Sequence, residues 1–86
     1  MNDLILNTDA FKEYMDWQNE DRKTLKKIND LIIDIQRNGL INGIGKPEAL
    51  KHIKAYSHRI GDDNRLIYAV DEKQSLRIIS CKGHHV

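Results

Sequence analysis

A chain of 86 residues has room for a single domain (residues 1–86) with a thin core and marginal stability of its own. Its one cysteine, Cys81, excludes an internal disulfide, and no run approaches the ~18 apolar residues of a membrane span. The formal net charge is only +1 but is unevenly spread: residues 1–43 hold six Lys/Arg against eight Asp/Glu, and residues 44–86 hold eight against five.

All four histidines, His52, His58, His84 and His85, also fall in the second half. A basic, His-rich segment on a near-neutral chain fits a polyanion site, although charged side chains more often simply solvate a surface. The start, Met1-Asn2-Asp3-Leu4-Ile5-Leu6, has no basic region and no long apolar stretch, so a signal peptide is not expected and a cytoplasmic protein is.

Leu4-Ile5-Leu6 reads as a first strand. Thr8 or Asp9 can then cap a helix by accepting from its free first-turn N–H groups, and that helix would carry Phe11, Tyr14, Met15 and Trp17/Gln18 on one side. Asn19-Glu20-Asp21 breaks it and starts a second. There Leu25, Ile28, Ile32 and Ile35 recur at three and four residues with Leu31 beside them, the clearest periodicity in the chain. Asn38-Gly39 ends this helix, because glycine takes the left-handed conformation past a helix end at little cost. Residues 39–47, with three glycines and the only proline, form a loop.

Three strands follow: Tyr56-Ser57-His58-Arg59-Ile60, Arg65-Leu66-Ile67-Tyr68-Ala69-Val70 and Leu76-Arg77-Ile78-Ile79-Ser80-Cys81. The turns between them, Gly61-Asp62-Asp63-Asn64 and Asp71-Glu72-Lys73-Gln74, are short and polar, so neighbouring strands must be antiparallel. The expected architecture is α+β, two N-terminal helices on one face of a mostly antiparallel sheet of four to five strands, in the order β-α-α-β-β-β.

A meander gathers the polar groups of the second half: Glu48 and Lys51 after the glycine-rich loop, Arg59 and Arg65 flanking one hairpin turn, and His84-His85 at the end. RNA can be cut by its own 2′-hydroxyl. That reaction needs a base for the hydroxyl proton, an acid for the leaving 5′-oxygen, and fixed cations for the charge building on the phosphate. Glu48 suits the base, His84 the acid, and Arg59, Arg65 and Lys51 the phosphate, with no metal or other cofactor called for. Residue types alone do not make this specific, since any small domain has Glu, His and Arg.

Longer motifs add specificity. Tyr14-Met15-Asp16-Trp17-Gln18, Lys26-Lys27-Ile28-Asn29-Asp30-Leu31-Ile32, Gly43-Ile44-Gly45-Lys46-Pro47-Glu48-Ala49-Leu50-Lys51, Ser57-His58-Arg59-Ile60, Asn64-Arg65-Leu66-Ile67-Tyr68 and Ser80-Cys81-Lys82-Gly83-His84 come in the order and spacing of the YoeB/Txe branch of the RelE toxin superfamily. The chain resembles that branch nearly end to end. The resemblance implies the toxin of a type II toxin–antitoxin module, an endoribonuclease that enters the ribosomal A site, cuts the bound messenger and so inhibits translation. It also implies a neutralising antitoxin of the YefM/Axe kind, the 70S ribosome with mRNA as target, and leaves room for a homodimer. By position Glu48 matches the general base, His84 the general acid and Arg65 the arginine that stabilises the transition state. Arg59 and Lys51 match further phosphate and RNA contacts, and Lys46 and Lys82 complete the candidate RNA-binding set.

The chain departs from the family pattern twice. Ser57-His58-Arg59 stands where the family has Ser-Arg-Arg, so one cation becomes titratable. The tail reads His84-His85-Val86 where the family closes with His-Tyr, which makes His85, planar and able to stack or donate, the stand-in for a catalytic tyrosine.

Other features have blander readings. Tyr14 and Trp17 on an amphipathic helix are core residues more often than base-stacking ones. Gly43 and Gly45 belong to a plain loop, and Lys26-Lys27 to a solvated helix face. Cys81 reads as a buried strand residue, and adjacent histidines on a strand point to opposite faces, which speaks against a metal pair. Two rival functions stand beside the ribonuclease. One is a ParE-like poison that binds gyrase, which calls for none of Glu48, Arg65 or His84. The other is a weakened homologue that chiefly binds antitoxin or ribosome.

Overall fold

The computed structural model describes residues 2–39, 48–49 and 55–83. Strand β1 (Leu4–Leu6) leads into helices α1 (Thr8–Glu20) and α2 (Arg22–Asn38), followed by β2 (Glu48–Ala49), β3 (Tyr56–Arg59), β4 (Arg65–Val70) and β5 (Leu76–Ser80). Asn7, extended at φ −61° and ψ 156°, occupies the cap position of α1, so neither Thr8 nor Asp9 is the cap. Its side chain does not bond the first turn, because its Oδ1 accepts instead from Arg77 Nη1 at 3.0 Å.

One residue makes the break between the helices. Asp21 donates its N–H to Trp17 O, closing α1, and its carboxylate accepts from Lys23 N, Thr24 N and Thr24 Oγ1, opening α2. At the far end Gly39 takes φ 85° and donates to Ile35 O at 2.9 Å, the stop that Asn38-Gly39 foreshadows.

Helix α2 buries Ile28, Leu31, Ile32 and Ile35, the expected stripe. The inward face of α1 is Ala10, Tyr14 and Trp17, at i, i+4 and i+7, rather than the broader set expected. Phe11 and Met15 lie one step around the helix and remain 54% and 43% exposed.

The five strands form one sheet in the order β1-β5-β4-β3-β2. Three neighbouring pairs are antiparallel. β1 lies parallel to β5, with Leu4 opposite Leu76 and Leu6 opposite Ile78, which the two-helix crossover makes possible.

Alternation along the strands sorts the side chains onto two faces. Tyr56, Leu66, Tyr68, Leu76 and Ile78 meet the helices in the core. Glu48, Ser57, Arg59, Arg65 and Ile67 fall on the opposite face, because Glu48 faces Ser57, Ser57 faces Ile67 and Arg59 faces Arg65 across the ladders. The register between β4 and β5 shifts at Ile67/Tyr68, where Ser80 and Ile78 are the partners and Ile79 is left over.

Candidate functional site

Two short pairings build the site. The turn over residues 61–64 is closed by Ile60 N donating to Asn64 O at 2.9 Å, which fixes the β3–β4 register and sets Arg59 opposite Arg65. β2, only two residues long, lays Glu48 beside Ser57. The result is a carboxylate, a hydroxyl and two guanidinium groups on the sheet face away from the helices.

Arg65 is 9% exposed, although its charge cannot be neutralised by losing a proton. Its Nε–H donates to Ser57 Oγ, and its Nη2 stands 3.4 Å from Glu48 Oε2. Ser57 is 1% exposed, whereas the Glu48 side chain is 73% exposed. The cation is therefore anchored inside the sheet face while the carboxylate stands at its rim, reachable from outside. Arg59 is exposed and, among the described residues, has no ion-pair partner. Two arginines at facing positions repel each other, so this spot favours an anion between them.

Gly83 is brought to the same place. Gly83 N donates to Asn64 Oδ1 at 2.8 Å, and Arg65 N donates to Gly83 O at 3.0 Å. Gly83 has φ 88°, a conformation that glycine adopts without a Cβ penalty. Upstream, Glu13 Oε1 accepts from Ser80 Oγ (3.0 Å) and Cys81 N (2.7 Å), and Trp17 Nε1 donates to Cys81 O at 2.9 Å. Helix α1 thus holds the last strand, and the Asn64 side chain and the Arg65 backbone N–H hold the residue that precedes His84.

Of the expected site residues, Glu48, Arg59 and Arg65 come together. His84, His85, Lys46 and Lys51 lie outside the described residues. Lys82 is on the helix side: its Nζ sits 2.7 Å from Glu20 Oε2, 3.6 Å from Asp16 Oδ2 and 5.4 Å from the centre of the Trp17 ring. The hydrogen bond to Glu20 raises its pKa. His58 pairs with Leu66, so it alternates to the face opposite Glu48 and Arg65.

Cys81 is fully buried, and burial pushes its thiol up to about 12, which leaves it protonated and unfit as a nucleophile. Among the described residues no group of three His, Cys, Asp or Glu side chains is placed to hold a metal ion. No helix there is long and apolar enough to cross a membrane.

Reasoning from the sequence missed Ser57, Asn64 and Glu13 as supports. Ser57 and Asn64 sit inside recognised motifs, but only the pairing of β3 with β4 shows what they hold. Glu13 carries no sequence signal at all, since its partners are 67 and 68 residues away.

Comparison with known proteins agrees with this architecture. The family model for YoeB-like toxins of bacterial type II toxin–antitoxin systems matches residues 6–85. Toxin YoeB of Escherichia coli K12 is 42% identical over 84 residues, which cover 95% of this chain and 98% of that one. Two solved Staphylococcus aureus structures, a YoeB–YefM complex and a YoeB dimer, superpose with TM-scores of 0.86 and 0.87. Each is 42% identical and covers 96% of this chain and 97% of its own. The chain belongs to the YoeB-like toxins of type II toxin–antitoxin systems.

Proposed function

We propose that this toxin is a ribosome-dependent, metal-independent endoribonuclease that cuts mRNA in the ribosomal A site. The observation that carries the reading is the exposed Glu48 carboxylate 3.4 Å from the buried Arg65 guanidinium, with Arg59 directly opposite Arg65. Glu48 takes the proton of a 2′-hydroxyl, and the freed oxygen attacks the adjacent phosphorus. The bond to the 5′-oxygen breaks, and His84 protonates that oxygen as it leaves, giving a 2′,3′-cyclic phosphate and a 5′-hydroxyl. Arg65 meets the charge gathering on the phosphate oxygens, while Arg59, Lys51 and Lys46 draw in the RNA backbone, and Lys82, held by Glu20 and Asp16 on the helix side, takes no part in this. His85 stacks or donates where relatives use a terminal tyrosine.

The substrate puts the protein in the cytoplasm. The S. aureus complex with YefM supports a YefM-like antitoxin for this chain as well, and the S. aureus dimer supports self-association. The C-terminal segment of that antitoxin wraps the basic face, since a chain that orders on binding covers a large surface. Purified protein added to programmed ribosomes, in parallel with a gyrase supercoiling assay, tests the reading. Cleaved messenger with supercoiling unaffected supports it. Inhibited supercoiling with intact messenger assigns the protein a gyrase-type action instead.

A further inference from the structure

A guanidinium has five N–H donors fixed in one plane, so whatever holds one edge decides where the other points. In Arg65 both known contacts, Nε to Ser57 Oγ and Nη2 to Glu48, lie along the same edge. Nη1 has no hydrogen-bond partner among the described residues, and the Nη1/Nη2 edge offers two parallel N–H groups suited to two phosphate oxygens. The two holds differ in kind. Glu48 is an exposed carboxylate that loses its negative charge, and with it most of its pull on Arg65, once it accepts a proton. Ser57 is fully buried in the middle strand of the β2-β3-β4 ladder and does not titrate near neutral pH.

We infer that Ser57 is a positioning residue that fixes the plane of the Arg65 guanidinium and keeps it fixed while Glu48 changes protonation. The inference rests on the ribonuclease reading for its consequence and on the Ser57–Arg65 contact for its geometry, and the two are tested separately. Ser57→Ala should lower the kcat of messenger cleavage on programmed ribosomes by about tenfold to a hundredfold with KM changed by less than about twofold. Ser57→Thr, which keeps the hydroxyl on a strand that accepts β-branching, should restore most of the rate.

In an Arg65→Lys background, where there is no Nε–H to hold, Ser57→Ala should add little further loss in single-turnover cleavage. A second readout needs no activity: the Arg65 Nε–H proton, followed by NMR, should exchange with solvent more slowly in the wild type and Ser57→Thr than in Ser57→Ala. Equal exchange in all three overturns the geometry. Slowed exchange with an unchanged kcat in Ser57→Ala, or an equal loss in both backgrounds, overturns the positioning role. A wild-type protein that cuts nothing removes the functional reading and this role with it, while the exchange rates still report the contact.

Discussion

Arg65 is tolerated in a nearly dry position because Ser57 and Glu48 take up one edge of its guanidinium. In the proposed reaction the same arrangement holds a charge ready, with no reorganisation needed when the phosphate arrives. Glu48→Ala, Arg65→Ala and His84→Ala should therefore each abolish growth inhibition in cells and lower cleavage by about 10²- to 10⁴-fold. Circular dichroism should still show a folded domain, and toxicity that survives all three changes would sink the mechanism.

Tyr68 is the counter-example, a buried hydroxyl with no hydrogen-bond partner among the described residues. Burial pushes its pKa from 10.0 up to about 12. The folded state thus keeps a proton that the unfolded state releases at lower pH. The associated stability is complete below pH 10.0 and is lost as pH rises toward about 12. Tyr68→Phe should raise stability by about 1 kcal/mol at neutral pH, since it removes an unpaired buried group. Denaturant melts should show its advantage growing above pH 10.0, and a less stable variant would mean that the hydroxyl is satisfied. At this scale the grouping of Glu48, Arg59 and Arg65 was readable from motif spacing, whereas the support from Ser57 was not. Its value depends on which atom of Arg65 it meets, and that follows from register and rotamer rather than from residue type.

Between elements, single residues act as joints. Asp21 ends α1 and caps α2, and its hydrogen bonds to Thr24 and Lys23 hold its carboxyl below the ordinary 3.8. A lowered folded-state pKa means the added stability is present above 3.8 and lost as pH falls through the folded value. Asp21→Ala should lower the thermal midpoint at neutral pH, and the gap from wild type should narrow on acidification below 3.8. A gap that is constant with pH would assign the effect to something other than the carboxylate.

Gly83 is the joint between β5 and the end of the chain. Gly83→Ala should cost about 1–2 kcal/mol, because φ 88° is strained for an L side chain, and should also slow cleavage by loosening the hold of Asn64 and Arg65 on this residue. Unchanged melting and cleavage would show that the backbone relaxes freely there. The polar break at 19–21 and the stop at Asn38-Gly39 were legible because they rest on local hydrogen bonding. The start of α1 was not: Asn7 is drawn away from its helix by Arg77, 70 residues along the chain.

Across the whole molecule, the two-layer α+β packing and the succession of one strand, two helices and a three-strand meander follow from periodicity and short turns, and the structure has both, with β2 as a further strand between the helices and the meander. The parallel pairing of β1 with β5 and the two-residue β2 were not legible. Three apolar residues in one place and two polar-to-small residues in another carry no signal of their partner. Yet the second of these pairings builds the site and the first ties the start of α1 to the sheet. β2 delivers Glu48 to Ser57 and Arg65, and Asn7 at the end of β1 receives the Arg77 side chain of β5. Glu48 at the rim and Arg59 beside it are both exposed, in keeping with the proposed action on a messenger presented by the ribosome. Primer extension on messenger RNA after inducing this protein in cells, beside a His85→Tyr version, tests that claim most directly. Cuts inside translated codons from both chains are the predicted result. Arrested growth with uncut messenger from both would contradict it.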